Sequence, residues 1–168
     1  MEYDFYLDKF KKSVDQLDRK LMAEKNLELY VGTYSGSVVL KLYKKQWTND
    51  KVDPINARTR IFFSIWVNES TIKQNKIYYN IHAFKLRELK GFSVASRKFA
   101  HKFRIEFKKH LDDWKNVSVK FGPLTLMEGW NTLKVSNLEI TIFSLAVNFM
   151  KIDSLIDEIL KTFKKPNV

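Results

Sequence analysis

TRIFFSIWV (residues 59–67), NESTIKQN (68–75) and KIYYNIHAFK (76–85) decide the fold. Two runs rich in β-branched and aromatic side chains flank a polar octet, the pattern of two strands and their turn. Side chains alternate across a strand. Ile61, Phe63, Ile65 and Val67 therefore share one face, matched by Ile77, Tyr79, Ile81 and Ala83 and, in SVVLKLY (37–43), by Val38, Leu40 and Leu42. That face is core. The opposite face carries Arg58, Arg60, Phe62, Ser64 and Trp66; Lys41, Tyr43, Lys45 and Trp47; and Tyr78, Asn80, His82 and Phe84. Aromatic and basic residues interleave there. Surfaces that hold single-stranded nucleic acid stack bases on flat rings while Lys and Arg track phosphates. Phe62, Trp66, Tyr78 and His82 are thus candidate binding residues, with Arg58, Arg60 and Lys41 as anion ligands. A sheet covered on both faces also needs apolar residues on both, and a concave sheet can cup a small apolar ligand.

Outward from this pair, residues 27–31 and 37–43 read as strands joined by a hairpin over 32–36, with glycines for positive φ. Residues 44–57 form a long polar loop. Residues 3–22 place Phe5, Tyr6, Phe10, Val14, Leu17 and Leu21 at spacings of three and four, which predicts an amphipathic helix. Downstream, a helix is expected over 93–114, strands over 117–121 and 138–147, and a terminal helix over 152–163; 124–135 suits either state. Asp153, Asp157 and Glu158 early in that last helix, with Lys161, Lys164 and Lys165 late, complement its dipole. The expectation is one α+β domain over 1–168. It has a largely antiparallel sheet of five to seven strands, an N-terminal helix, a long basic helix and a C-terminal helix.

Of the 168 residues, 30 are Lys or Arg and 19 Asp or Glu, giving a net charge of +11. Residues 31–120 alone hold 19 basic and 7 acidic groups, so the excess is concentrated there. Such a segment favours polyanions. Along the expected helix and the Phe92 that precedes it, Phe92, Phe99, Phe103, Phe107, Leu111 and Trp114 fall on one arc, with His110 among them as a core histidine. Arg97, Lys98, His101, Lys102, Arg104 and Lys108 occupy the other side. Like charges at i, i+4 repel, so this stripe calls for an anionic partner: nucleic acid, another polyanion, or the acidic first helix of the same chain.

Absent cysteine excludes disulfides, thiolate metal sites and cysteine nucleophiles. No glycine-rich phosphate loop, Gly-x-Ser-x-Gly or HExxH occurs, and no cofactor is expected. The element order loosely resembles the restriction-endonuclease core, which implies a metal held by an Asp and an acid-x-Lys pair. Glu88 and Lys90 with Asp53 or Asp50 are the matching residues. This composition yields about three acid-x-Lys triplets by chance, and four occur, at Asp18, Glu88, Glu106 and Asp113. The absence of a signal-peptide pattern and of a long apolar run points to the cytoplasm and away from membranes. The leading expectation is a non-enzymatic nucleic-acid or polyanion-binding domain. A small-ligand or partner-protein module, including a homodimer, on the aromatic face is the second reading, and a metal nuclease the third.

Overall fold

Val38, Leu40, Leu42, Ile61, Phe63, Ile65, Val67, Ile77, Tyr79, Ile81 and Ala83 are all buried. They form the inner face of a five-stranded sheet in a computed structural model that describes residues 1–166. Strands β1 (Glu28–Tyr34), β2 (Ser37–Tyr43), β3 (Arg60–Val67), β4 (Lys76–Phe84) and β5 (Thr125–Thr132) run antiparallel in the order β1-β2-β3-β4-β5. The helices are α1 (Tyr3–Val14), α2 (Arg19–Glu24), α3 (Glu69–Lys73), α4 (Ser96–Phe107) and α5 (Leu138–Lys161). The fold is α+β.

The helical layer lies against the inner face. Phe149 of α5 stacks on Phe63 at 4.8 Å between centroids, and Trp114 packs on Tyr79 at 5.1 Å. α1 crosses β1, β2 and α5, while α4 rests on α5 and β5. Phe10, Phe99, Phe103, Phe107 and Phe149 are fully enclosed between these elements.

Four expectations are corrected. First, residues 138–147 are helix, continuous with the terminal helix across Lys151, so α5 is 24 residues long. Leu138, Ile142, Leu145, Phe149, Ile152, Ile156 and Ile159 continue one buried stripe at helical spacing, while Ile140 is 68% exposed, as a buried strand would not allow. Second, residues 117–121 form no strand. One bridge, Ser118 to Glu128, holds them against β5 before Gly122 and Pro123 turn the chain away. Third, the N-terminal helix is split. Asp18 accepts a hydrogen bond from the Leu21 amide and caps α2, because its carboxylate offers the backbone a fresh start. Fourth, the hairpin turn is only Ser35 and Gly36, both at positive φ, which matches the twist of the flanking strands. Gly32 lies within β1, where the Tyr30 ring folds over it and leaves no room for a Cβ. The ambiguous stretch 124–135 holds β5.

Trp47 also leaves the aromatic face expected for it. It is buried in a short 3-10 turn against Phe63, and its indole N–H donates to Asp157. The same carboxylate and Asp153 enclose the Lys44 ammonium at 2.5 and 2.7 Å, with Lys25 on Asp153 at 3.0 Å. Burial alone depresses the Lys44 pKa, but its hydrogen bonds to both carboxylates and their negative charge outweigh burial and leave it raised. Asp153 and Asp157 therefore serve this buried network in the middle of α5, and the dipole role expected for them is not theirs.

Candidate binding face

The outer face of the sheet lies opposite the helices. Register places its residues in rows across the strands. One row is Val39, Trp66, Tyr78 and Trp130. The next is Tyr30, Lys41, Ser64, Asn80 and Glu128. Beyond it come Tyr43, Phe62 and His82, then Arg60 beside Phe84. Ring contacts on this face join sheet residues to one another: Trp66 with Tyr78 at 5.5 Å, Tyr43 with Phe62 at 5.1 Å, and His82 with Phe84 at 4.9 Å. Trp66, Tyr78, His82, Phe84 and Trp130 remain half-buried, whereas Phe62 is fully enclosed by its neighbours. Phe62 is thus a foundation for the face and cannot itself receive a base.

Cations line this surface without carboxylates against them. Lys41 lies over the rings of Tyr34 and Phe62 at 4.6 and 4.8 Å, and Lys76 over Trp130 at 4.2 Å. Arg60 lies over Phe84 at 4.7 Å and donates to the Ala57 carbonyl at 2.5 Å. Lys41 is only 4% exposed and makes no hydrogen bond or ion pair among the described residues. Burial, assisted by Arg60, pulls its pKa down to about 8. His82 is driven down to about 3 by burial, then by Lys41 and Arg60, so it is neutral at ordinary pH. Its Nε2 accepts a long bond from Arg60 Nε at 3.4 Å. Burial raises the pKa of Glu128 across the row, against a weak hydrogen bond from Asn80.

Arg60 leads into a hollow of about 570 Å³ at the end of the face. Arg58, Arg87, Lys85 and Ser96 border it over Phe84, Pro123 and Leu124. Three of the six arginines in the chain meet there. Ser96 is the first residue of α4, so the basic helix begins where the aromatic face ends.

The helix stripe is only partly what the sequence suggests. Arg97, Lys98, His101, Lys102 and Lys108 are exposed, but Lys108 belongs to the 3-10 turn that follows α4. Lys102 donates to Thr162 and covers the Phe163 ring. Arg104 turns inward, donating to the carbonyls of Gly122, Thr125 and Leu126 at 2.9–3.2 Å. It holds the entry to β5, the edge strand of the sheet, and shares the Gly122 carbonyl with the Thr125 amide. The acidic first helix is not the partner of the stripe: α1 packs on α5 and pairs Lys9 with Glu139.

Of the nuclease candidates, Asp50, Asp53 and Glu88 have other partners, while Asn49, beside Asp50, donates to the Glu88 carbonyl and accepts from the Lys90 amide. Asp50 accepts from the Val52 and Asp53 amides, Asp53 holds Asn56, and Glu88 pairs with Arg58 at 3.3 Å. Among the described residues no three His, Asp or Glu side chains gather as metal ligands. Sequence reasoning missed Trp130, Lys76, Tyr34 and Arg87. The alternation of Glu128, Trp130 and Thr132 was the available signal for the first. Among the described residues no helix is long and apolar enough to cross a membrane. Comparison with protein-family models, with curated proteins and with solved structures gives no match for the chain.

Proposed function

We propose that this protein binds single-stranded nucleic acid or a similar polyanion along the outer face of its sheet. The supporting observation is the row of half-buried rings Trp66, Tyr78 and Trp130, flanked by Lys41, Lys76 and Arg60 without carboxylate partners. Bases stack on such rings in any sequence, and cations neutralise the phosphates between them. Arg58, Arg87 and the exposed Arg97, Lys98, His101, Lys102 and Lys108 extend the positive surface past the end of the face. Arg104 is excluded from the binding set because its donors are engaged. A flat sheet face suits separated bases and not a duplex, whose rings are already stacked.

Labelled single-stranded DNA, RNA and duplex DNA titrated by fluorescence anisotropy test this. Single strands bind more tightly than duplex, and the Trp66→Ala, Tyr78→Ala double variant loses about 1–3 kcal/mol per stacked base. Equal affinity for duplex, or no effect of the double variant, would overturn the reading.

A further inference from the structure

A hollow of about 170 Å³ opens on the same face, bounded by Tyr34, Val39, Lys41, Ser64, Trp66 and Asn80. Its floor holds three unanswered polar groups. Lys41 and Ser64 are 4% and 5% exposed. The Lys41 ammonium lies over the Tyr34 and Phe62 rings, and among the described residues it has no ion pair and Ser64 Oγ and Asn80 Oδ1 have no hydrogen-bond partner. Buried polar groups are ordinarily satisfied, and a buried charge is ordinarily paired. Here an ammonium, a hydroxyl and an amide carbonyl stand on adjacent strands in one row. A single water needs about 10–15 Å³, so the space admits a small organic molecule.

We propose that this hollow binds a small, flat carboxylate that carries an N–H or O–H donor beside its carboxyl group. The carboxylate answers Lys41, one of its oxygens accepts from Ser64, the adjacent donor meets Asn80 Oδ1, and the flat body lies between Trp66 and Tyr34. This inference stands independently of polyanion binding. The groups facing Lys41 are Tyr34 from β1, Arg60 from β3, neutral His82 from β4 and, across the row, Glu128 from β5. None supplies a paired negative charge.

Pyrrole-2-carboxylate and furan-2-carboxylate form a matched pair of probes, alike in shape but differing in the ring N–H. With the full ¹⁵N-labelled chain at pH 7, pyrrole-2-carboxylate shifts the amides of Lys41, Ser64, Trp66 and Asn80 saturably. Furan-2-carboxylate binds about tenfold more weakly, the loss expected for an unanswered buried acceptor. Lys41→Met, verified as folded by its own spectrum, loses the response. On the unaltered protein, ligand-observed NMR at pH 7 and 9.5 gives a second reading, with binding lost as Lys41 deprotonates. No shift at these residues, equal affinity for the two probes, undiminished binding by Lys41→Met, or unchanged binding at pH 9.5 would overturn the proposal.

Discussion

At the scale of single residues, the most telling feature is a cation without an anion. Lys41 releases its proton at about pH 8 in the fold against an ordinary value of 10.5. The unfolded chain therefore binds more protons between those limits, and stability rises as pH climbs from 8 to 10.5. Below pH 8 the full penalty is present, at most about 3 kcal/mol. Lys41→Met accordingly melts at a higher temperature than the parent at pH 7, and thermal scans between pH 7 and 10.5 show the two converging. His82 acts in the acid range. Its folded value of about 3 lies below the ordinary 6.5, so the unfolded chain again takes up protons preferentially. That costs up to about 1.4 kcal/mol for each pH unit between 6.5 and 3. Denaturant titrations across this range give His82→Phe a shallower loss of stability than the parent. The sequence assigned Lys41, Ser64, Asn80 and His82 to one face by parity alone. It could not show that Lys41, Ser64 and Asn80 share a row, because a row depends on register between strands, and register is a tertiary property.

At the scale of elements, β4 alternates buried and half-buried residues as its sequence suggests, whereas β2 and β3 are enclosed on both faces and were legible from β-branched and aromatic content. The first half of α5 was not legible, since its run of Ile, Phe, Leu and Val satisfies a strand and a buried helix alike. Only the unbroken phase into residues 152–160 distinguishes them. The 117–121 segment failed for a different reason: β-branched residues supplied the propensity, but a single bridge to β5 is all the pairing the chain reaches. Gly129 explains part of that geometry. A Cβ there would collide with the Tyr79 hydroxyl, which donates to the Lys115 carbonyl, and would sit 3.0 Å from the Asn116 carbonyl. Gly129→Ala costs about 1–3 kcal/mol by overpacking, measurable by urea titration. α4 separates structural from functional cations in the same way. Arg104→Met lowers the melting temperature, because carbonyls that it satisfied lose a charged donor worth about 1.5–3 kcal/mol. Arg97→Ala with Lys98→Ala leaves the melting temperature within a degree or so of the parent, since neither side chain has a partner among the described residues, and weakens polyanion binding. The reverse pattern would return Arg104 to the binding stripe.

At the scale of the molecule, one sheet carries two kinds of surface. Its inner face and the helices α1, α4 and α5 contain most of the fully enclosed rings, with Trp47 in its 3-10 turn and Phe62 under the outer face as the exceptions. Its outer face keeps rings half-exposed beside Lys41, Lys76 and Arg60, which have no carboxylate partners among the described residues, and the +12 charge of residues 31–120 is shared between strands, α4 and the loops that join them. Charge segregation of this kind is visible in composition. The end at which the basic helix meets the aromatic face is not, because Ser96, Arg58, Arg60 and Arg87 are brought together only by the fold. The salt dependence of single-strand binding is the most direct test of the central claim, that the outer face binds polyanions through rings and unpaired cations. Anisotropy titrations of a labelled single strand from low to physiological salt should give a log–log slope of about −2 or steeper, as phosphate contacts at Lys41, Lys76 and Arg60 require. The Trp66→Ala, Tyr78→Ala variant should keep that slope while losing affinity at every salt concentration. A slope near zero, or no binding even at the lowest salt, would contradict the account.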